Sequence, residues 1–217
     1  MSWVEIIGWS ATAVGALLGF PQLFRLLRTR NVAGLSLLAW QAVLVLNVIW
    51  FTHGVRIGQG PQIVTNSVAL ASTLPLLVLL ARATRRSLFA VVAPSLVAAA
   101  VIIAVDFTLG SLAFGLVATI PGLMSSSGQS VELVRARRVD GVAPVFLALA
   151  WVNQCLWLTW ALLVHDPGTI VACSITLTIT AFNLIWFILR RLGLRALFVR
   201  ASDEPVLPCT QPALARS

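Results

Sequence analysis

Two stretches of this chain carry one pattern at a fixed separation. Gln22, Arg28, Arg30, Val32, Gly34, Trp50 and Ile63 recur 107 residues later as Gln129, Arg135, Arg137, Val139, Gly141, Trp157 and Ile170. Seven identities at one offset, with no gap, are hard to reach by chance. An internal repeat means that the fold is two copies of one unit, so each copy must be interpreted against the other. In the first copy an apolar run meets Pro21 near its end. A basic turn with Arg25, Arg28 and Arg30 follows, then the small-residue bend 32–36, then a second apolar run ending near Trp50.

The runs are long enough to decide the class. The chain has 217 residues, 59% hydrophobic and only 10% charged, with a mean hydropathy of +0.96. A soluble domain carries roughly 25% charged residues, and a helix needs about 20 apolar residues to cross a bilayer. The expected fold is therefore an all-α polytopic membrane protein. All fifteen basic residues are Arg and the net charge is +8. That excess belongs to loops facing the cytoplasm, where it sets orientation, and to anionic lipid. It does not point to nucleic acid, because no basic groove with interleaved aromatics is present. Cys155, Cys173 and Cys209 have neither metal-site nor disulfide spacing. No metal or cofactor is implied.

Apolar periodicity predicts seven helices, near 3–27, 32–53, 61–82, 87–105, 109–134, 142–164 and 168–190. With seven spans, the arginine clusters at 25–30, 82–86, 135–138 and 190–200 all fall on one side. The positive-inside rule then places the N-terminus outside and the C-terminus in the cytoplasm. A three-helix unit ends on the side opposite its start. Two such units share one orientation only if an odd number of helices separates them, and the fourth helix is that linker. The units are 1–83 and 107–191, joined by 84–106, with a disordered tail at 192–217. A substrate site is expected between the units near the midplane.

These residues resemble a known family. Gly19-Phe20-Pro21-Gln22, the basic turn and Gly34-Leu35-Ser36 look like the PQ-loop signature. Two such units and a linker helix resemble the SWEET sugar transporters, whose half-size bacterial relatives are the SemiSWEETs. The resemblance implies a pocket built from one residue on the second and one on the third helix of each unit. At the matching spacing stand Trp50 with Asn66, and Trp157 with Cys173. The family has Asn at the third-helix position in both halves, and Cys173 departs from it. The resemblance also implies flexing points at Pro21 and Gln22, with Gly128 and Gln129 as counterparts. It implies a sugar as substrate, whereas other PQ-loop members carry amino acids or act as receptors. In some an acid near the inner turn couples transport to protons, and here that acid is Asp140.

A neutral sugar offers hydroxyls around an apolar ring face, which suits indole stacking and amide hydrogen bonds. Trp50, Trp157 and Asn66 supply those groups. Asn47, Asn153, Gln154 and Ser174 stand close enough in sequence to line the same path. No acid or base falls near the middle of a span, which favours an uncharged substrate and passive transport. His53, Asp106 and Asp166 sit at the ends opposite the arginines, where they are expected to be interfacial or, as the alternative, contacts of a gate. His53 and His165 stand alone in sequence, and no nucleophile motif accompanies them, so no enzyme is expected. A retinal protein is excluded by the lack of Lys. The expected setting is a bacterial plasma membrane. Two units in one chain can form a pathway alone, and a homo-oligomer is also compatible with the sequence.

Overall fold

In the computed structural model, residues 2–30, 32, 35–135 and 143–197 are described; the side chains of residues 20–23, 25–27, 127 and 132 are not. Asp140, Arg137 and Gly141 lie outside the described residues, as does the tail from 198. The described residues form seven helices: α1 Trp3–Thr29, α2 Leu37–Arg56, α3 Gly60–Ala83, α4 Leu88–Leu109, α5 Ser111–Arg135, α6 Pro144–Val164 and α7 Pro167–Arg191. Among the described residues, α2, α3, α4, α6 and α7 are long and apolar enough to cross a membrane. Taken across its bend, α5 is a sixth, and α1 carries the shorter apolar stretch Trp3–Gly19.

Local chemistry sets the helix starts. Ser36 caps α2 by accepting from the Ala39 amide at 3.3 Å, so α2 begins five residues after the expected Val32. Ser87 caps α4 in the same way, accepting from Ala90. Pro61, Pro144 and Pro167 stand in first turns, where a missing N–H costs nothing. Gly110, at φ 84°, makes the tight corner between α4 and α5.

The packing follows the repeat. In the first group α3 touches both α1 and α2; in the second, α7 touches both α5 and α6. Across the groups α1 packs on α6, and α2 packs on α5. These two contacts are equivalent under the repeat. Helix α4 lies against α2 and α5, with Ala99 and Ile102 meeting Val45, Ile49 and Phe114. In lipid, close approach of small faces replaces the hydrophobic drive of a soluble core. Gly8, Ala11, Thr12 and Gly15 form such a face on α1, and Gly115, Ala118, Thr119 and Gly122 repeat it on α5 at the same offset of 107. A Cβ on Gly8 would lie 2.8 Å from Pro61 and from Trp160, and one on Gly115 would lie 2.5 Å from the Cα of Gly168. Pro61 and Gly168 are themselves repeat mates.

Helix α1 runs through Pro21 to Thr29. In α5, Ser111–Ser126 and Gly128–Arg135 meet at 49°. A Ser-Ser-Ser-Gly run is a common place for a helix to bend. After α7, the amide of Leu197 donates to the Val134 carbonyl at 3.0 Å, so the start of the expected disordered tail is ordered against α5.

Candidate functional site

A cavity of about 290 Å³ lies between the two groups, with walls from α2, α3, α5, α6 and α7. Trp50, Asn66, Trp157, Cys173, Asn47 and Gln154 all line it. Two expected residues do not. Ser174 is exposed and its hydroxyl donates to the Ile170 carbonyl at 2.7 Å. It stands one residue after Cys173, and on a helix that step turns the side chain by about 100°. Asn153 faces α1, where its amide lies 3.8 Å from a Cβ placed on Gly15. Of the expected flexing points, Gly128 and Gln129 follow the α5 bend, and the side chains of Pro21 and Gln22 lie outside the described residues.

The lining combines apolar, aromatic and uncharged polar side chains, and among the described residues no formal charge contributes to it. Trp50 is held edge-on to Phe114, with ring centroids 4.9 Å apart, and Trp157 edge-on to Trp160 at 5.4 Å. Four of the lining hydroxyls share one habit. Thr119, Ser125, Ser126 and Thr176 each give their proton to a carbonyl three or four residues earlier on their own helix, at 2.6–2.9 Å. Each then turns only lone pairs outward. Asn66 sends its amide nitrogen to the Gln62 carbonyl at 2.8 Å, leaving its oxygen to accept. Gln62 was not foreseen. It lines the cavity at 4% exposure, and its amide oxygen has no partner among the described residues. The wall is rich in acceptors and asks for a ligand rich in donors.

One end of the cavity is capped by a buried polar cluster. His53, 0% exposed, places Nδ1 2.7 Å from Asp106 Oδ2 and Nε2 3.0 Å from Asp166 Oδ2. Arg56 pairs with the other Asp106 oxygen at 2.7 Å. The ring of His53 stacks on Phe114 at 4.5 Å and meets Trp50 edge-on at 5.6 Å. The expectation that His53 is isolated is thus corrected, and the three groups are buried against one another, not exposed at an interface. They converge from α2, from α4 and from the α6–α7 turn, where 53 and 113 residues of chain separate the partners.

The α6–α7 turn explains how Asp166 arrives. His165 closes α6 in the left-handed region at φ 58°, and Asp166 caps α7 before Pro167. Asp166 accepts from the Thr169 amide at 2.8 Å and its hydroxyl at 2.6 Å, and from the hydroxyl of Ser111. Burial pushes the Asp166 carboxyl up, but hydrogen bonds from His53, Ser111 and Thr169 outweigh it and hold the group below the usual carboxylate range. Thr169 also lines the cavity, so the cap and the cavity share a wall. Both His53 nitrogens face carboxylates, so neither is placed to take a proton from the Ser111 hydroxyl.

No protein-family model matches this sequence, and no curated protein does either. Among solved structures, that of a eukaryotic SWEET transporter is similar, with a TM-score of 0.69 over 88% of this chain and 100% of that one, at 13% identity. At that identity the likeness shows the fold. The chain is an all-α polytopic protein with a SWEET-like arrangement of helices.

Proposed function

We propose that this protein carries a small neutral solute rich in hydroxyl groups, a sugar, across the membrane by alternating access. The observation that carries the reading is the cavity wall: two tryptophans, uncharged amides and hydroxyls whose protons are already spent on their own helices. A polyol donates to every such acceptor and stacks its ring face on indole. The volume, about 290 Å³, sits at the lower end of ligand pockets, which run from roughly 300 to 1,000 Å³. It suits one small ring.

In this reading residues 1–83 and 107–191 rock as units about the α5 bend at Gly128 and the Pro21 region of α1, and 84–106 tie them together. Trp50, Asn66, Trp157 and Cys173 bind the solute. The capped end faces outside, and the arginine-bearing ends of α1, α3, α5 and α7 face the cytoplasm. The likeness of fold to a SWEET transporter supports sugar as the solute class. Uptake of labelled mono- and disaccharides into proteoliposomes, without an ion gradient, tests the reading. Absence of uptake for every sugar would sink it. Uptake that requires a pH gradient and is lost in Asp140→Asn would replace it with proton-coupled transport through the inner turn.

A further inference from the structure

The polar cap above the cavity contains more than a tie between helices. We propose that it is a proton-linked latch: closing this end of the bundle takes up one proton at His53, and opening it releases that proton to the water on that side. This rests on the alternating-access reading above, because it assigns a control to the same cavity.

The argument begins with charge. Asp106 and Asp166 are 1% and 6% exposed, and two buried carboxylates need two positive partners. Arg56 supplies one, to Asp106. The second must come from His53, which touches both acids at hydrogen-bond distance. With an imidazolium the cluster is neutral; with a neutral ring it buries one unbalanced negative charge.

Hydrogen bonding gives the same answer independently. Ionised carboxylates only accept, and a neutral imidazole has one donor and one lone pair. Both ring nitrogens face carboxylate oxygens, so a neutral ring would set a lone pair against one of them. The closed cluster therefore holds one proton more than a neutral ring flanked by two carboxylates. When the groups part, Asp166 leaves with the α6–α7 turn, and His53 stays with Asp106. A neutral ring then satisfies its remaining partner with one N–H, and the proton is free to leave.

Few other groups compete. On α2 the neighbour is Arg56; on α4 the sole titratable residue is Asp106. Helix α5 presents Ser111 and Phe114 here and has no titratable residue before Glu132; α3 has none before Arg82. On the second group's side stand Asp166, the exposed His165, and Cys173 further along α7. Glu5 lies in the first turn of α1, exposed and bonded to the Ser2 amide. His53 is thus the residue whose ordinary pKa, ~6.5, lets the cap respond near neutral pH.

The test measures the distance between the capped ends of α2 and α6. Spin labels at Val55 and Leu163, both exposed, are placed in the full chain in lipid nanodiscs, with Cys155, Cys173 and Cys209 replaced by Ser. Between about pH 6 and about pH 9, the ratio of the short-distance to the long-distance population should fall by up to about tenfold per pH unit, the slope for one linked proton. His53→Gln should flatten that response. Asp166→Asn removes one of the two buried negative charges, so closing no longer needs an imidazolium and the response should flatten there as well. A flat response in the parent protein would overturn the latch, and so would the parent's slope retained in either variant. Absence of sugar uptake together with a retained slope would overturn the transport reading and leave the latch standing.

Discussion

A Cβ placed on Gly115 would lie 2.5 Å from the Cα of Gly168. The partner is backbone, which cannot swing aside, so Gly115→Ala must push α5 and α7 apart. Overpacking of this kind costs about 1–3 kcal/mol. The expected outcome is a lower thermal unfolding temperature in detergent, and Gly8→Ala, facing Pro61 and Trp160 at 2.8 Å, should behave alike.

Gly128 is the opposite case. Nothing lies within 4 Å of a Cβ placed there, and Ala is the better helix former by up to about 1 kcal/mol. Gly128→Ala should therefore raise stability slightly. If α5 flexes at its bend during transport, the same change should slow uptake several-fold with little effect on half-saturation. An unchanged rate would remove Gly128 from the moving parts.

The cavity assignment is checked by a pair of substitutions. Asn66→Ala removes a lining amide, and one neutral hydrogen bond is worth about 1 kcal/mol, close to fivefold in apparent affinity. Ser174→Ala removes a hydroxyl that is exposed and spent on Ile170, and should leave uptake as it was. Equal losses in both would show that the solute path lies elsewhere.

Much of this architecture was legible because a membrane span announces itself by composition. The seven helices fall within a few residues of their expected places, and the largest error, at Val32, arises because Ser36 is the cap. The repeat also placed Trp50 with Trp157 and Asn66 with Cys173. The same offset could have revealed Gly8 with Gly115 and Thr12 with Thr119, but small residues carry little signal until packing shows what approaches them. The cap was not legible as a cluster. His53, Asp106 and Asp166 lie far apart in the chain, and end-of-helix acids ordinarily face water. Their shared depth at the ends of α2, α4 and α6 was the one available clue. Ser174 and Asn153 each stand one position from a lining residue, and neighbours in sequence point to different sides of a helix, whereas residues three and four apart share a face.

Acid should weaken the protein through Asp166. Its carboxyl is held below the usual range in the folded state, whereas an unfolded Asp titrates near ~3.9. The stabilisation is therefore complete above that ordinary value and is lost as pH falls toward the folded one. Thermal unfolding measured from about pH 6 to about pH 3 should show the gap between the parent protein and Asp166→Asn closing as pH drops. A gap that stays constant would mean that the hydrogen bonds to Asp166 do not favour its ionised form.

Ser95 gives a prediction of the opposite sign. It is 3% exposed in α4, and its hydroxyl has no partner among the described residues. A helical Ser usually donates to the carbonyl four residues earlier, which here is Val91. That carbonyl already accepts from the Gln41 side chain at 2.7 Å. Gln41 thus ties α2 to α4 and leaves the Ser95 hydroxyl without its usual acceptor. A buried polar group left unmade costs about 1–3 kcal/mol, so Ser95→Ala should stabilise the protein by up to that amount. Gln41→Leu should cost stability in the parent, because it leaves the α2–α4 tie unmade. It should cost more in the Ser95→Ala background, where no hydroxyl remains to take over the Val91 carbonyl. Equal costs in the two backgrounds would show that Ser95 and Gln41 do not compete for that carbonyl.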